Sequence, residues 1–193
     1  MNIVLATRNP GKIAELRALL ADLPVDLVSA ADLDGAPEVE EDAPTLEGNA
    51  RKKAEALYDH AGLPALADDT GLEVNALDGA PGVHSARFAG PDADDAANRA
   101  RLLRDLSGAE DRSAQFRTVL AFANGGDVQF FEGVCEGRIT KSGRGSEGFG
   151  YDALFEPDGE SQTFAEMSAD AKNRISHRGR ALAQFVTFLR NRL

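Results

Sequence analysis

Asn2-Ile3-Val4-Leu5-Ala6-Thr7-Arg8-Asn9-Pro10-Gly11-Lys12-Ile13 carries the chain from one kind of structure into another within twelve residues. Residues 2–6 read as a buried strand. The polar turn 7–11 follows, and then an amphipathic helix with Ile13, Leu16, Leu19 and Leu20 on one face. The same alternation continues downstream. Residues 26–29 read as a second strand, and the acidic, proline-punctuated stretch 34–44 as a loop. Thr45 is the expected N-cap of a second helix, on which Leu46, Asn49, Lys53, Ala54 and Leu57 recur until Gly62. The apolar run Leu63-Pro64-Ala65-Leu66-Ala67 is a third strand leading to Asp68 and Asp69, with a further short strand at 72–74 and a glycine-rich turn at 78–82.

Residues 92–105 read as a helix whose acids, Asp92, Asp94 and Asp95, complement the helix dipole at its start. Residues 113–124 and 127–140 form a hairpin across Gly125-Gly126, followed by a flexible loop at 142–150. A short helix at 168–173 precedes a final one capped by Ser176, with Leu182, Phe185, Val186 and Leu189 on its apolar side. Helices and strands are interleaved without repeats. The expected class is therefore α/β, a mixed twisted central sheet flanked by helices. The expected organisation is a single domain over 1–193, built as two lobes with an active-site cleft between them.

A chain of 193 residues should bury roughly 70% of its unfolded surface. A hydrophobic fraction of 42% and a charged fraction of 27% are ordinary for a soluble globular protein. No apolar run approaches the roughly 20 residues that span a bilayer, and residues 1–5 lack the basic start of a secretory signal. Cys135 is the only cysteine, which rules out an internal disulfide and makes the cytoplasm the expected location. It reads as a small buried hydrophobe. The net charge of −11 argues against broad adhesion to nucleic acid or anionic membrane, but not against a small polyanion met by gathered cations or a metal.

Two such gatherings are visible. In Thr7-Arg8-Asn9-Pro10-Gly11-Lys12, backbone N–H groups at a helix start and two basic side chains suit an anion. The Walker spacing is absent, and a capped helix with solvated charges is the competing reading. Near the C-terminus, Lys172, Arg174, His177 and Arg178 cluster, the last two falling in the first turn of the final helix. Cations there oppose the dipole unless an anion compensates, so a ligand role stands beside plain surface charge. Between the two lies Gly148-Phe149-Gly150-Tyr151-Asp152. Phe149 is open for stacking on a flat base or, alternatively, packs in the core with Tyr151. Asp152 would accept from ring N–H groups or tie down the loop.

Asp68 and Asp69 are expected at the exit of the third strand, repelling each other unless a cation or proton lies between them. With Glu38, Glu40, Glu41 and Asp42 upstream, a hard oxygen-seeking ion such as Mg²⁺ suits the site.

In this order, five segments resemble the inosine triphosphate pyrophosphatase family, which hydrolyses non-standard purine nucleoside triphosphates. They are the segments at 5–12, 67–72, 79–87, 148–152 and 176–179, so the resemblance covers essentially the whole chain. It implies a Mg²⁺-dependent cut between the α and β phosphates of ITP, dITP or XTP, giving a monophosphate and pyrophosphate, and it implies a homodimer. By motif, Thr7, Arg8, Asn9, Pro10, Gly11 and Lys12 would hold the triphosphate and Asp69 would accept the proton. Glu40 (with Glu41 as the alternative) and Asp69 would bind the metal. Thr70, Phe149, Gly150, Tyr151, Asp152, Lys172, His177 and Arg178 would contact substrate. Arg8 departs from many relatives, which carry glycine or another residue there. A 6-keto purine shows acceptors at O6 and N7, which donors on Arg178 and His177 suit. A related-fold pyrimidine nucleotide pyrophosphatase and a non-cutting nucleotide sensor are the rival readings.

Overall fold

The computed structural model describes residues 1–192; Leu193, the last residue of the expected 1–193 domain, lies outside the described residues. Seven strands form one mixed sheet among the described residues, in the order β2-β1-β3-β5-β6-β7, with β4 added on β3. The strands are β1 (Asn2–Leu5), β2 (Asp26–Ser29), β3 (Ala65–Val74), β4 (Pro81–Gly82), β5 (Ser113–Ala123), β6 (Gln129–Ile139) and β7 (Phe155–Pro157). The helices are α1 (Pro10–Leu20), α2 (Leu46–Ala61), α3 (Asp95–Asp105), α4 (Ala169–Ile175) and α5 (His177–Arg190). β1 runs parallel to both β2 and β3, with Val4 opposite Val28 and Ala65, whereas β3–β4 and β6–β7 are antiparallel. The expected α/β class with a mixed sheet is thus what the chain adopts.

By contact density the chain divides into two compact units, the first comprising Met1–Asp69, Thr118–Gly133 and the chain from Arg178 onward, the second Thr70–Arg117 and Val134–His177. In the first unit, Ile3 and Leu5 of β1, Leu16 and Leu20 of α1, Leu66 of β3, Leu120 and Phe122 of β5, and Leu182, Phe185 and Leu189 of α5 build the core. In the second, Leu72, Val74, Leu102, Phe116, Cys135, Tyr151, Phe155 and Phe164 belong to the core cluster. Cys135 is buried there, as its small apolar character suggests. No helix among the described residues is long and apolar enough to cross a membrane.

Local chemistry explains the helix ends that matter for the site. Asn9 caps α1, its side chain accepting from the Lys12 amide at 3.1 Å, and Pro10 at the first position has no donor to satisfy. Thr45 caps α2 by accepting from Gly48 N, and Gly62 closes it in the left-handed conformation at φ 64°.

One expectation is corrected here. The acids do not end a strand: β3 runs unbroken for ten residues through Asp68-Asp69-Thr70-Gly71 to Val74. Charge mid-strand reads as an exit only if nothing neutralises it, and here fixed cations do. Gly71 allows the approach of β4, since a Cβ there would sit 2.8 Å from the Gly82 carbonyl oxygen. The three-residue β7 had no signal in the sequence, its apolar run being too short to separate from a loop.

Candidate active site

In the first unit the chemistry centres on β3. Successive side chains of a strand point to opposite faces, so the neighbouring acids are separated rather than paired. Asp68 shares a face with Leu66, whose core partners come from α1 and α5. Its carboxylate accepts from Lys12 Nζ at 2.6 Å and from Arg178 Nε at 2.7 Å and Nη2 at 3.3 Å. Asp69 takes the other face, toward α2, and accepts from Lys53 Nζ at 2.7 Å. The same ammonium donates to Glu41 Oε1 at 3.0 Å and to the Asp68 carbonyl at 2.9 Å. The expectation that the two acids share one cation or proton is therefore replaced by a different arrangement, in which each has its own basic partners.

The two carboxyls are tuned in opposite directions. Burial works against ionising Asp68, but the charges of Arg178 and Lys12 outweigh it and hold the group well below the usual carboxylate range. For Asp69 burial dominates: it lifts the carboxyl above its ordinary value against the pull of Lys53 and Lys12, with Glu41 adding to the rise. Burial likewise opposes the charge on Lys53, yet Asp69 and Glu41 keep it raised. Asp68 is a fixed anion, whereas burial raises the proton affinity of Asp69.

Arg178, 1% exposed, also donates from Nη1 to Glu15 of α1. The anion that must compensate cations in the first turn of α5 is thus supplied from within the chain, by Asp68 and Glu15. In the turn between β1 and α1, Thr7 Oγ1 accepts from Asn9 N at 3.2 Å, and Lys12 reaches inward to Asp68. Arg8 is half-exposed and turns to the acidic loop, donating to the Ala36 carbonyl at 3.0 Å and lying 3.9 Å from Glu38. Of that loop's acids, Glu41 meets Lys53, Asp42 pairs with Lys52, and Glu40 is exposed.

No three His, Cys, Asp or Glu side chains gather as a preformed metal cage among the described residues. Mg²⁺ is commonly held by one or two carboxylates, waters and substrate phosphates. Glu41 and Asp69, converging on one ammonium, form an oxygen donor set of this kind.

The second unit holds the remaining residues. Asp152 Oδ2 accepts from the Phe149 amide at 2.9 Å and from Lys172 Nζ at 2.7 Å, while the Lys172 ammonium sits 5.0 Å from the centre of the Phe149 ring. Phe149 is partly buried under this cation rather than enclosed in the core. Tyr151 has the other fate: it lies in the core, and its hydroxyl donates to the Ser85 carbonyl at 2.8 Å. His177 is buried with its ring stacked on Phe116, centroids 4.5 Å apart and planes 16° apart. Thr70, next along β3 from Asp69, is partly exposed.

Lys53 and Glu15 were not singled out from the sequence. A visible sign existed for Lys53, a cation recurring on the apolar face of α2 beside Leu46, Ala50, Ala54 and Leu57, all buried. Glu15 carries no such mark, because one acid on a helix with Arg17 nearby looks like an ordinary surface residue.

The Ham1 family profile matches residues 3–188. The dITP/XTP pyrophosphatase of Syntrophobacter fumaroxidans is 54% identical over 183 residues, covering 94% of this chain and 79% of that protein. That of Desulforamulus reducens is 50% identical over 196 residues, covering 100% and 97%. Among solved structures, a HAM1 protein from Coxiella burnetii superposes with a TM-score of 0.90 at 42% identity, covering 99% of both chains. The Staphylococcus aureus Ham1 protein also gives 0.90, at 36% identity and full coverage of both. The resemblance carried by the five motifs is borne out over almost the whole length, and the chain belongs to the Ham1 family.

Proposed function

We propose that this chain hydrolyses non-standard purine nucleoside triphosphates, ITP, dITP and XTP, to the monophosphate and pyrophosphate, and so clears them from the cytoplasmic nucleotide pool. The observation that carries the chemistry is Asp69, a carboxylate 5% exposed, held 2.7 Å from Lys53 and with its proton affinity raised by burial. A base whose pKa is lifted toward neutrality is better matched to taking a proton from water, help worth roughly 10²–10⁴-fold. The names of the relatives, dITP/XTP pyrophosphatases, support the substrate class.

In this reading water attacks the α-phosphorus as Asp69 takes its proton. The bond from that phosphorus to the oxygen bridging to the β-phosphate breaks, and pyrophosphate leaves. Thr7, Arg8, Asn9, Pro10, Gly11 and Lys12 hold the triphosphate, the Lys12 ammonium from its place beside Asp68 and Arg8 from its place beside the acidic loop. Mg²⁺, held by Asp69 with Glu40 or, closer to Lys53, Glu41, would supply charge neutralisation at the phosphate oxygens. Thr70, Phe149, Gly150, Tyr151, Asp152, Lys172, His177 and Arg178 contact the rest of the substrate. Arg178 enters this role with its guanidinium already oriented by Asp68 and Glu15. A 6-keto purine is preferred because donors meet its O6 and N7, whereas the amino group of adenine would strand them at about 1–3 kcal/mol each. A homodimer is part of the same proposal.

Pyrophosphate release from ITP, XTP, GTP and ATP, with Mg²⁺ and with chelator, tests this reading. ITP and XTP should lead in kcat/KM, chelation should stop release, and Asp69→Asn should abolish turnover while nucleotide binding largely survives. A preference for ATP, or an Asp69→Asn variant as active as the parent, would overturn it.

A further inference from the structure

The loop that carries Phe149 and Asp152 has little regular structure of its own, and two of its glycines, Gly148 and Gly150, sit in left-handed conformations at φ 74° and 59°. A Cβ at Gly148 would run into the Asp152 carboxylate, so the turn is closed tightly on that side chain. Such a segment would sample many conformations if nothing outside it held it. Two side chains of α3 do hold it. Asp95 accepts from the Gly150 amide at 2.6 Å, and Arg99, one helical turn further on, donates from Nη1 to the Gly150 carbonyl at 2.6 Å. Both polar groups of one residue's backbone are thus gripped by an i,i+4 pair on a single helix face.

This grip changes the reading of Asp95. Asp94 is the true N-cap of α3, accepting from the Ala97 amide at 2.7 Å. Asp95 faces the loop instead, and its charge adds to the burial that raises the Tyr151 phenol. Arg101 anchors the same helix by donating to the Phe88 carbonyl and stacking on the Phe88 ring at 4.2 Å. The pair therefore projects from a helix that is itself fixed.

We propose that Asp95 and Arg99 are positioning residues for base recognition, clamping Gly150 so that the Phe149 ring and the Asp152 carboxylate are oriented before a purine arrives. The inference rests on the reading of residues 149–152 as substrate contacts. Preorganising a loop removes the cost of ordering it on binding. The clamp should therefore act on affinity for the nucleoside portion and leave phosphate binding and the chemical step untouched.

The test compares two inhibitors of ITP turnover: inosine monophosphate, which carries the base, and inorganic pyrophosphate, which lacks it. The variants are Arg99→Met, which keeps the apolar stem, Asp95→Ala, and Asp92→Ala as a control that removes a nearby charge without a contact to Gly150. In Arg99→Met and Asp95→Ala, KM for ITP and Ki for inosine monophosphate should both rise about tenfold. Ki for pyrophosphate and kcat should stay put, Asp92→Ala should match the parent, and Arg99→Lys should recover part of the loss. Hydrogen exchange at the Gly150 amide should accelerate in Asp95→Ala, which gives a readout independent of activity. Unchanged affinity for inosine monophosphate, or parallel weakening of both inhibitors, would overturn the clamp while leaving the pyrophosphatase reading intact. A parent chain that neither turns over ITP nor binds inosine monophosphate would bring down that reading, and the clamp with it.

Discussion

Replacing Asp68 by Asn keeps the shape of the side chain and removes the charge that Lys12 and Arg178 share. The Asp68 carboxylate is wholly buried and Arg178 is 1% exposed, so the guanidinium cannot turn to water when its partner is neutralised. Removing one member of a buried pair costs about 3–5 kcal/mol. Two features hold the loss to the lower end: the amide oxygen can still accept from Arg178 Nε, and Glu15 continues to pair with Nη1. Unfolding entropy of about 2.1 cal/mol/K per residue, over 193 residues, is about 0.4 kcal/mol/K. A loss of about 3 kcal/mol therefore lowers Tm by about 7 °C, read by circular dichroism at pH 7.

Acid gives the prediction a second edge. The folded Asp68 carboxyl lies well below its unfolded value of about 3.9. Its contribution is therefore complete above that value and is lost as pH falls from there toward the folded one. At pH 3 the gap between parent and variant should have narrowed by about 3 °C. A variant within about 2 °C of the parent at pH 7, or a gap of the same size at pH 3, would refute the buried-pair reasoning.

Two further outcomes follow from the same geometry. Lys53→Met removes the cation that most opposes the rise of the Asp69 pKa, so more of the base is protonated at a given pH. The acid limb of kcat/KM should move to higher pH, with activity partly regained in alkali; a profile that drops without moving would argue against Asp69 as the base. Tyr151→Phe deletes a buried hydroxyl that donates to the Ser85 carbonyl. About 1 kcal/mol, or some 2–3 °C in Tm, should be lost, and a variant as stable as the parent would contradict the bond.

What could be read in the chain before its structure was known was set by locality. The span of α2 follows from Thr45 and Gly62, because capping depends on residues a few positions apart. The start of α5 at His177 is local in the same way, whereas the turn expected to run through Gly11 is shorter, α1 starting at Pro10 behind its Asn9 cap. The break assumed after Asp69 failed because the cations that make a buried acidic strand tolerable lie far off in sequence, on α1, α2 and α5. Only their convergence reveals that Asp68 and Asp69 have different partners. Glu15 and the Arg99 grip on Gly150 are hidden for the same reason, being contacts across 163 and 51 residues. Phe149 and Tyr151, alike in sequence context, are separated by depth, one beneath Lys172 and the other in the core.

The alternation of β3 makes the chain unusually sensitive to insertions and deletions at one point. A single residue gained or lost between Leu66 and Asp68 would turn every later side chain of the strand to the opposite side. A loss would set Asp69 in the place of Asp68, facing Lys12 and Arg178, whereas a gain would set Asp68 in the place of Asp69, facing Lys53. The composition, the charges and the motif would all survive such a slip, yet the acid on the α2 side would no longer be the one followed by Thr70-Gly71. Frame along this strand, as much as the presence of two aspartates, decides which of them sits between Lys12 and Arg178 and which beside Lys53.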